Sequence, residues 1–159
     1  MAPITPSNLD REERGAALVE FALALPLLLV VIAGIVDFGF TFQRYEVITN
    51  AAREGARMAS LPGYDVTSVD SRVRSYVQAG IGMNTAAMSR AMPTGAVTLA
   101  TVPMSVPLAG GGTKNVDTAL VTVTYRHNFL LLGPVLGLIN KSWGGTITLT
   151  ATSQMRLES

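Results

Sequence analysis

The chain of 159 residues contains no cysteine and a single histidine, His127. The first absence excludes disulfides, thiolate nucleophiles and cysteine metal sites. The second leaves no multi-histidine metal site and no Ser-His-Asp triad with a spare base. Charge is scarce as well: charged residues make up 14%, and 12 basic against 11 acidic side chains leave a formal net charge of +1. So even a balance gives no electrostatic case for nucleic acid. The length suits one small domain plus an appendage and excludes a large multidomain enzyme.

What is abundant is apolar surface, 48% of residues, and it is concentrated near the N-terminus. "MAPITPSNLDREER" (1–14) carries two prolines and a mixed-charge cluster and reads as a short unstructured leader. From Ala16 to Phe42 run 27 residues whose only ionisable members are Glu20 and Asp37. As a helix this stretch spans ~40 Å, more than the ~30 Å hydrocarbon core, and predicts one membrane-spanning helix. Pro26 removes one backbone hydrogen bond inside it, so a kink is expected.

The helical pattern continues through "QRYEVITNAAREGARMAS" (43–60), where Ala51, Gly55 and Ala59 recur at spacing four beside Ala52 and Ala56. Such small residues let another helix approach closely, although plain helix propensity would account for them too. "LPG" at 61–63 ends a rod of ~65 Å. A second helix follows Asp65 as N-cap, with Val66, Val69, Val73, Tyr76 and Val77 on one face and Asp70 paired with Arg74, and ends near Gly80 or Gly82. Residues 83–95 carry no assignable pattern. Three strand candidates come next: the weak "AVTLATV" (96–102), then "TALVTVTYRH" (118–127), then "TITLTATSQMRL" (146–157). In the second, Ala119, Val121, Val123 and Tyr125 share a face; in the third, Ile147, Leu149, Ala151, Met155 and Leu157 do. One buried and one wet face per strand is the mark of a small antiparallel sheet. The expected fold class is α+β: a long N-terminal transmembrane helix extending into a small head with a second helix and a short antiparallel sheet, a pilin-like arrangement.

Candidate chemistry is thin. "AGGGTK" (109–114) lacks the spacer and second Gly-Lys of a phosphate loop and reads as a flexible connection between strands. "NKS" (140–142) fits the glycosylation tripeptide by chance length alone. His127 reads as an exposed strand-end residue without a metal-binding partner. "FLLLGPVLGLI" (129–139) is too short to span a bilayer; core beneath the sheet is its expected place, an exposed contact patch the alternative. Asp37 is a candidate intramembrane polar contact, or else simply reaches the headgroups. With no acid pair, nucleophile-base pair or metal cluster, no enzyme, cofactor or metal is expected.

Arg11 and Arg14 before the span and Arg44, Arg53 and Arg57 after it leave its orientation undecided, while the short leader favours a cytoplasmic N-terminus. The apolar run is too long for a secretory signal peptide, whose cut follows 7 to 15 apolar residues. A cut before the run would instead keep the helix as an anchor, make Ala16 the new N-terminus and Glu20 the fifth residue.

"RGAALVEFALALPLLLVVIAGIVDFGFTFQRYEVITNAAREGARMAS" resembles the TadE-like family of minor pseudopilins from tight-adherence (Tad) type IV pilus systems. Gly15, Glu20 followed by Phe21, Pro26 and the "NAAREGAR" close of the helix carry the likeness, and "TLTATSQMRLE" is similar to the family's terminal strand. The shared N-terminal pattern extends to TadF and to the usually longer TadG-like proteins.

The resemblance implies a division into a cleaved leader (1–15), a transmembrane and stalk helix (16–60) and a periplasmic or extracellular head (61–159). It implies a prepilin peptidase cutting between Gly15 and Ala16, with Glu20 neutralising the new amine in its own chain or a neighbour's. Ala51, Ala52, Gly55 and Ala56 are the candidate helix-packing residues. The implied partners are the membrane, the prepilin peptidase, other pilins and pseudopilins, and the Tad inner-membrane assembly machinery, with no nucleic acid and no small-molecule substrate. The implied role is assembly of a Tad-type (Flp) pilus for surface adherence and biofilm formation, from a single-pass position in the inner membrane or from within the pilus. The rivals are an uncleaved membrane-anchored periplasmic binding module unrelated to pili and a secreted enzyme released from a signal peptide.

Overall fold

The computed structural model describes residues 6–139 and 145–158. In chain order these form α1 (Pro6–Ala59), α2 (Val66–Ile81), α3 (Thr85–Ala91), β1 (Val97–Pro107), β2 (Thr113–Asn128), α4 (Leu132–Ile139) and β3 (Thr146–Arg156). The class is α+β with the pilin-like order expected: a long apolar helix, a second helix, then an antiparallel sheet.

The leader departs from expectation, because α1 is helical from Pro6 onward rather than unstructured. Proline suits a first helical position, where its missing N–H is an orphan anyway, and the residues behind it extend a helix already nucleated downstream. The helix continues through Pro26. The tripeptide at 140–142 lies outside the described residues.

Past the apolar run, α1 becomes the spine of the head. Ile48, Ala51, Ala52 and Ala56 are fully buried there, facing Val69, Val73 and Val77 of α2. Two glycines set the closeness of this antiparallel pair. A Cβ on Gly55 would lie 2.7 Å from a Val73 methyl and 3.2 Å from one of Val121, and a Cβ on Gly80 would lie 2.8 Å from a Val47 methyl. The small-residue stripe is therefore spent on the chain's own second helix and sheet.

Asp65 caps α2, accepting the Ser68 N–H at 2.9 Å, and Gly82 ends the helix in the left-handed region at φ 73°. Val66 and Tyr76, expected on the buried face, are 49% and 39% exposed. Arg74 bonds Asp70 at 2.6 Å and reaches the carbonyl of Pro93 at 3.0 Å, fastening α2 to the segment after α3. Glu54 of α1 receives Arg57 and Arg72, and these hydrogen bonds hold its carboxyl down to about 2. The stretch at 83–95 forms α3, capped by Asn84, and contributes the buried Met88 and Met92.

The sheet has the order β1-β2-β3, antiparallel throughout. The weak strand candidate is a full strand, paired from Val97 opposite Val123 to Pro107 opposite Thr113. The glycine-rich connection is the β1-β2 turn, where Gly111 and Gly112 take φ values of 87° and 91°. β2 is central and buries Ala119, Val121, Val123 and Tyr125 against α1, as the alternation requires. Thr118, on the opposite face, is buried too, donating to the Val102 carbonyl at 2.6 Å and accepting from Gln154 at 2.6 Å. β3 closes the head: the Glu158 N–H donates to the Ser60 carbonyl at 2.9 Å, tying the last strand to the end of α1.

Candidate functional site

Gly15, Ala16, Glu20 and Phe21 all lie within α1 and all are exposed. Glycine in a helix interior costs about 0.5–1 kcal/mol relative to alanine. At Gly55 close packing explains that choice, but around a Cβ placed on Gly15 there is nothing within 4 Å. Among the described residues no neighbour calls for a glycine there, as is also the case at Gly34 and Gly39. Glu20 makes no hydrogen bond or ion pair among the described residues, and its helical neighbours Leu18, Val19, Phe21 and Leu23 are 60% exposed or more.

That exposure continues along the helix: Leu27 is 70% and Ile35 69% exposed. A bare apolar column of this length far exceeds the patches that soluble monomers tolerate. Gly15–Ala59 contains the one helix among the described residues long and apolar enough to cross a membrane. One such helix suggests a single-pass anchor.

The exception on this column is Asp37, which is fully buried. Its carboxylate accepts the N–H groups of Leu130 (2.9 Å), Leu131 (3.0 and 3.2 Å) and Leu132 (2.6 Å). These donors lead into α4, whose first turn also contains Pro134 with no N–H to satisfy. One side chain on α1 thus serves as the N-terminal cap of a helix some 95 residues later in the chain. The same site corrects the expected place of 129–139. The segment is not core beneath the sheet: Leu130 is 64% and Leu131 41% exposed. The loop leaving the end of β2 packs on α1 instead, through Asp37 and through Phe38 against Phe129.

His127 needs the opposite correction. It is 2% exposed rather than an open strand end. The signal was in its parity, since 119, 121, 123, 125 and 127 all point to one face, and helix α1 runs on under the last of them. Arg44 of α1 donates to Nδ1 of His127 at 2.7 Å, which requires that nitrogen to be unprotonated. Burial, and then the Arg44 charge, push the imidazole below its usual value, with Asp37 opposing. Phe129 stacks edge-on to His127 at 5.5 Å and to Phe38 at 6.3 Å, while Arg44 lies over the Phe40 ring at 5.7 Å. Beside this cluster an open cleft of about 740 Å³ is lined by Arg44, Arg90, Arg126, Tyr125 and His127. The constellation of Asp37, Arg44, His127 and the Leu130 N–H was illegible in the sequence because its members lie up to 93 positions apart. Among the described residues no three His, Asp or Glu side chains gather as a metal site would need.

No curated protein and no solved structure matches the chain. Residues 15–57 match the family model of TadE-like protein, from the unsupported glycine through the apolar column and Asp37 to the close-packed stretch around Gly55. Over this segment the chain is similar to TadE-like protein, and the similarity lies on a single apolar helix of membrane-spanning length, which suggests a single-pass membrane anchor in a Tad-related protein.

Proposed function

We propose that the chain is a minor pseudopilin, cut by a prepilin peptidase between Gly15 and Ala16 and taking part in assembly of a Tad-type (Flp) pilus for surface adherence and biofilm formation. Its role is structural and assembly-related, not catalytic. The leader stays in the cytoplasm, α1 crosses the inner membrane, and the head stands on the periplasmic or extracellular side. The observation that carries this reading is the TadE-like match beginning at Gly15, a helical glycine with empty space around it. A peptidase that accepts only a small residue at the cut supplies the reason that packing does not.

Glu20 fits the same reading. After the cut, the main-chain amine of Ala16 lies about one helical turn, roughly 6 Å along the axis, from Glu20. Two opposite charges in low dielectric offset much of each other's desolvation, whereas either alone is strongly unfavourable. The absence of any partner for Glu20 among the described residues leaves it available to that amine or to a neighbouring chain's.

N-terminal sequencing of membrane-extracted protein tests the proposal. Ala16 as first residue supports it, and Gly15→Leu then leaves an unshifted precursor band when the peptidase is present. Met1 or Ala2 as first residue sinks it in favour of an uncleaved anchored module. Glu20→Ala is expected to be cut normally and to abolish pilus assembly, and normal piliation in that variant removes the charge-pairing role.

A further inference from the structure

We propose that α4, together with Leu130 and Leu131 before it, lies in the interfacial layer of the bilayer, so that the protein meets the membrane at two places: the span itself and a short apolar helix pinned to it by Asp37. This rests on α1 crossing the membrane and is independent of any role in a pilus.

The height is set by helix geometry. At 1.5 Å per residue, a ~30 Å hydrocarbon core is crossed in about 20 residues, so a span starting at Ala16 leaves the hydrocarbon close to Asp37. Asp37 holds the start of α4 at that level through Leu130, Leu131 and Leu132. Along 129–139 no side chain is charged or polar. The exposed faces of Leu130 (64%) and Leu131 (41%) adjoin the bare column of α1, where Phe38 is 54% and Phe42 69% exposed, and continue the lipid-facing surface.

The backbone fits the same surroundings. Non-helical chain at membrane depth is tolerated only where its N–H and C=O groups are satisfied from within. The irregular stretch entering α4 meets that demand: the Phe129 N–H donates to the Gly145 carbonyl at 2.8 Å, and the next three N–H groups all go to one buried carboxylate. A loop facing water would have needed no such acceptor. Arg44 follows Asp37 by seven residues, about 10 Å along the helix. With Arg90 and Arg126 it lines the cleft above, at the depth where arginine side chains reach the polar headgroup layer. Apolar residues below and arginines above are the order in which a bilayer presents its layers.

Because the chain has no cysteine, single-cysteine labelling is unambiguous. Leu131→Cys, Leu28→Cys and Ser71→Cys, each carrying an environment-sensitive nitrobenzoxadiazole label on full-length protein, are reconstituted in phosphatidylcholine–phosphatidylglycerol vesicles with nitroxide lipids. The Leu131 label is expected to be quenched several-fold more strongly than Ser71 by a nitroxide near the headgroup, and Leu28 by a nitroxide deep in the acyl chain. A Leu131 label as wet and unquenched as Ser71 overturns the proposal. So does one shielded from water yet untouched by the lipid quencher, which means that protein, such as a second copy of the chain, covers it. If Leu28 is also unquenched, the span itself is refuted; if Leu28 is quenched and Leu131 is not, only the interfacial helix falls.

Discussion

Asp37 is the residue on which the lower end of the head depends. Hydrogen bonds to a charged acceptor contribute about 1.5–3 kcal/mol each, and stripping the acceptor leaves buried donors unsatisfied. Asp37→Ala is therefore expected to loosen 129–139 by about 2–4 kcal/mol, read as faster amide exchange at 130–132 with β1 and β2 unaffected. His127 sets a pH dependence. Its folded value lies below the ordinary 6.5, so the unfolded chain binds the proton more readily. Its contribution is fully present above pH 6.5 and is lost as the pH falls toward the depressed folded value. The thermal midpoint of the protein in micelles should drop as the pH falls below 6.5, and His127→Gln, which can still accept from Arg44, should flatten that drop. A fall of equal size in the variant assigns it to other groups.

Between elements, the decisive contact is the crossing of α1 and α2 at Gly55 and Gly80. Gly55→Ala gains up to about 1 kcal/mol of helix propensity but drives a Cβ to 2.7 Å from Val73 and 3.2 Å from Val121, both β-branched and buried. Overpacking of this kind costs about 1–3 kcal/mol, so a lower thermal midpoint is expected for Gly55→Ala, while Gly34→Ala, with open space around it, should not destabilise. An unchanged midpoint for Gly55→Ala would mean that the two helices part easily. Some element boundaries were legible locally: Asp65 and Gly82 bracket α2 by the chemistry of capping, and the alternation of β2 names its buried face. Less legible were α3, whose seven residues give too few turns for a period, and α4, whose uniformly apolar sequence has no period at all.

For the molecule as a whole, the head has its own core, built from Ile48 onward in α1, α2 and the sheet. A chain begun at Gln43 is expected to stay folded, with α2 and β2 protected from exchange. It lacks Asp37, so its 130–132 amides should exchange freely where those of the full chain in micelles do not; equal protection in both would assign the capping of α4 to another group.

The long apolar helix, the capped second helix, the buried face of β2 and the spacing of Gly15 and Glu20 were legible in the sequence alone, because each rests on neighbours within a turn or a strand. Only the tertiary structure decided what the polar exceptions do. Asp37 and His127 are defined by partners 93 and 83 positions away, and no local pattern encodes a carboxylate that caps a helix from across the fold or an arginine that keeps a buried imidazole neutral.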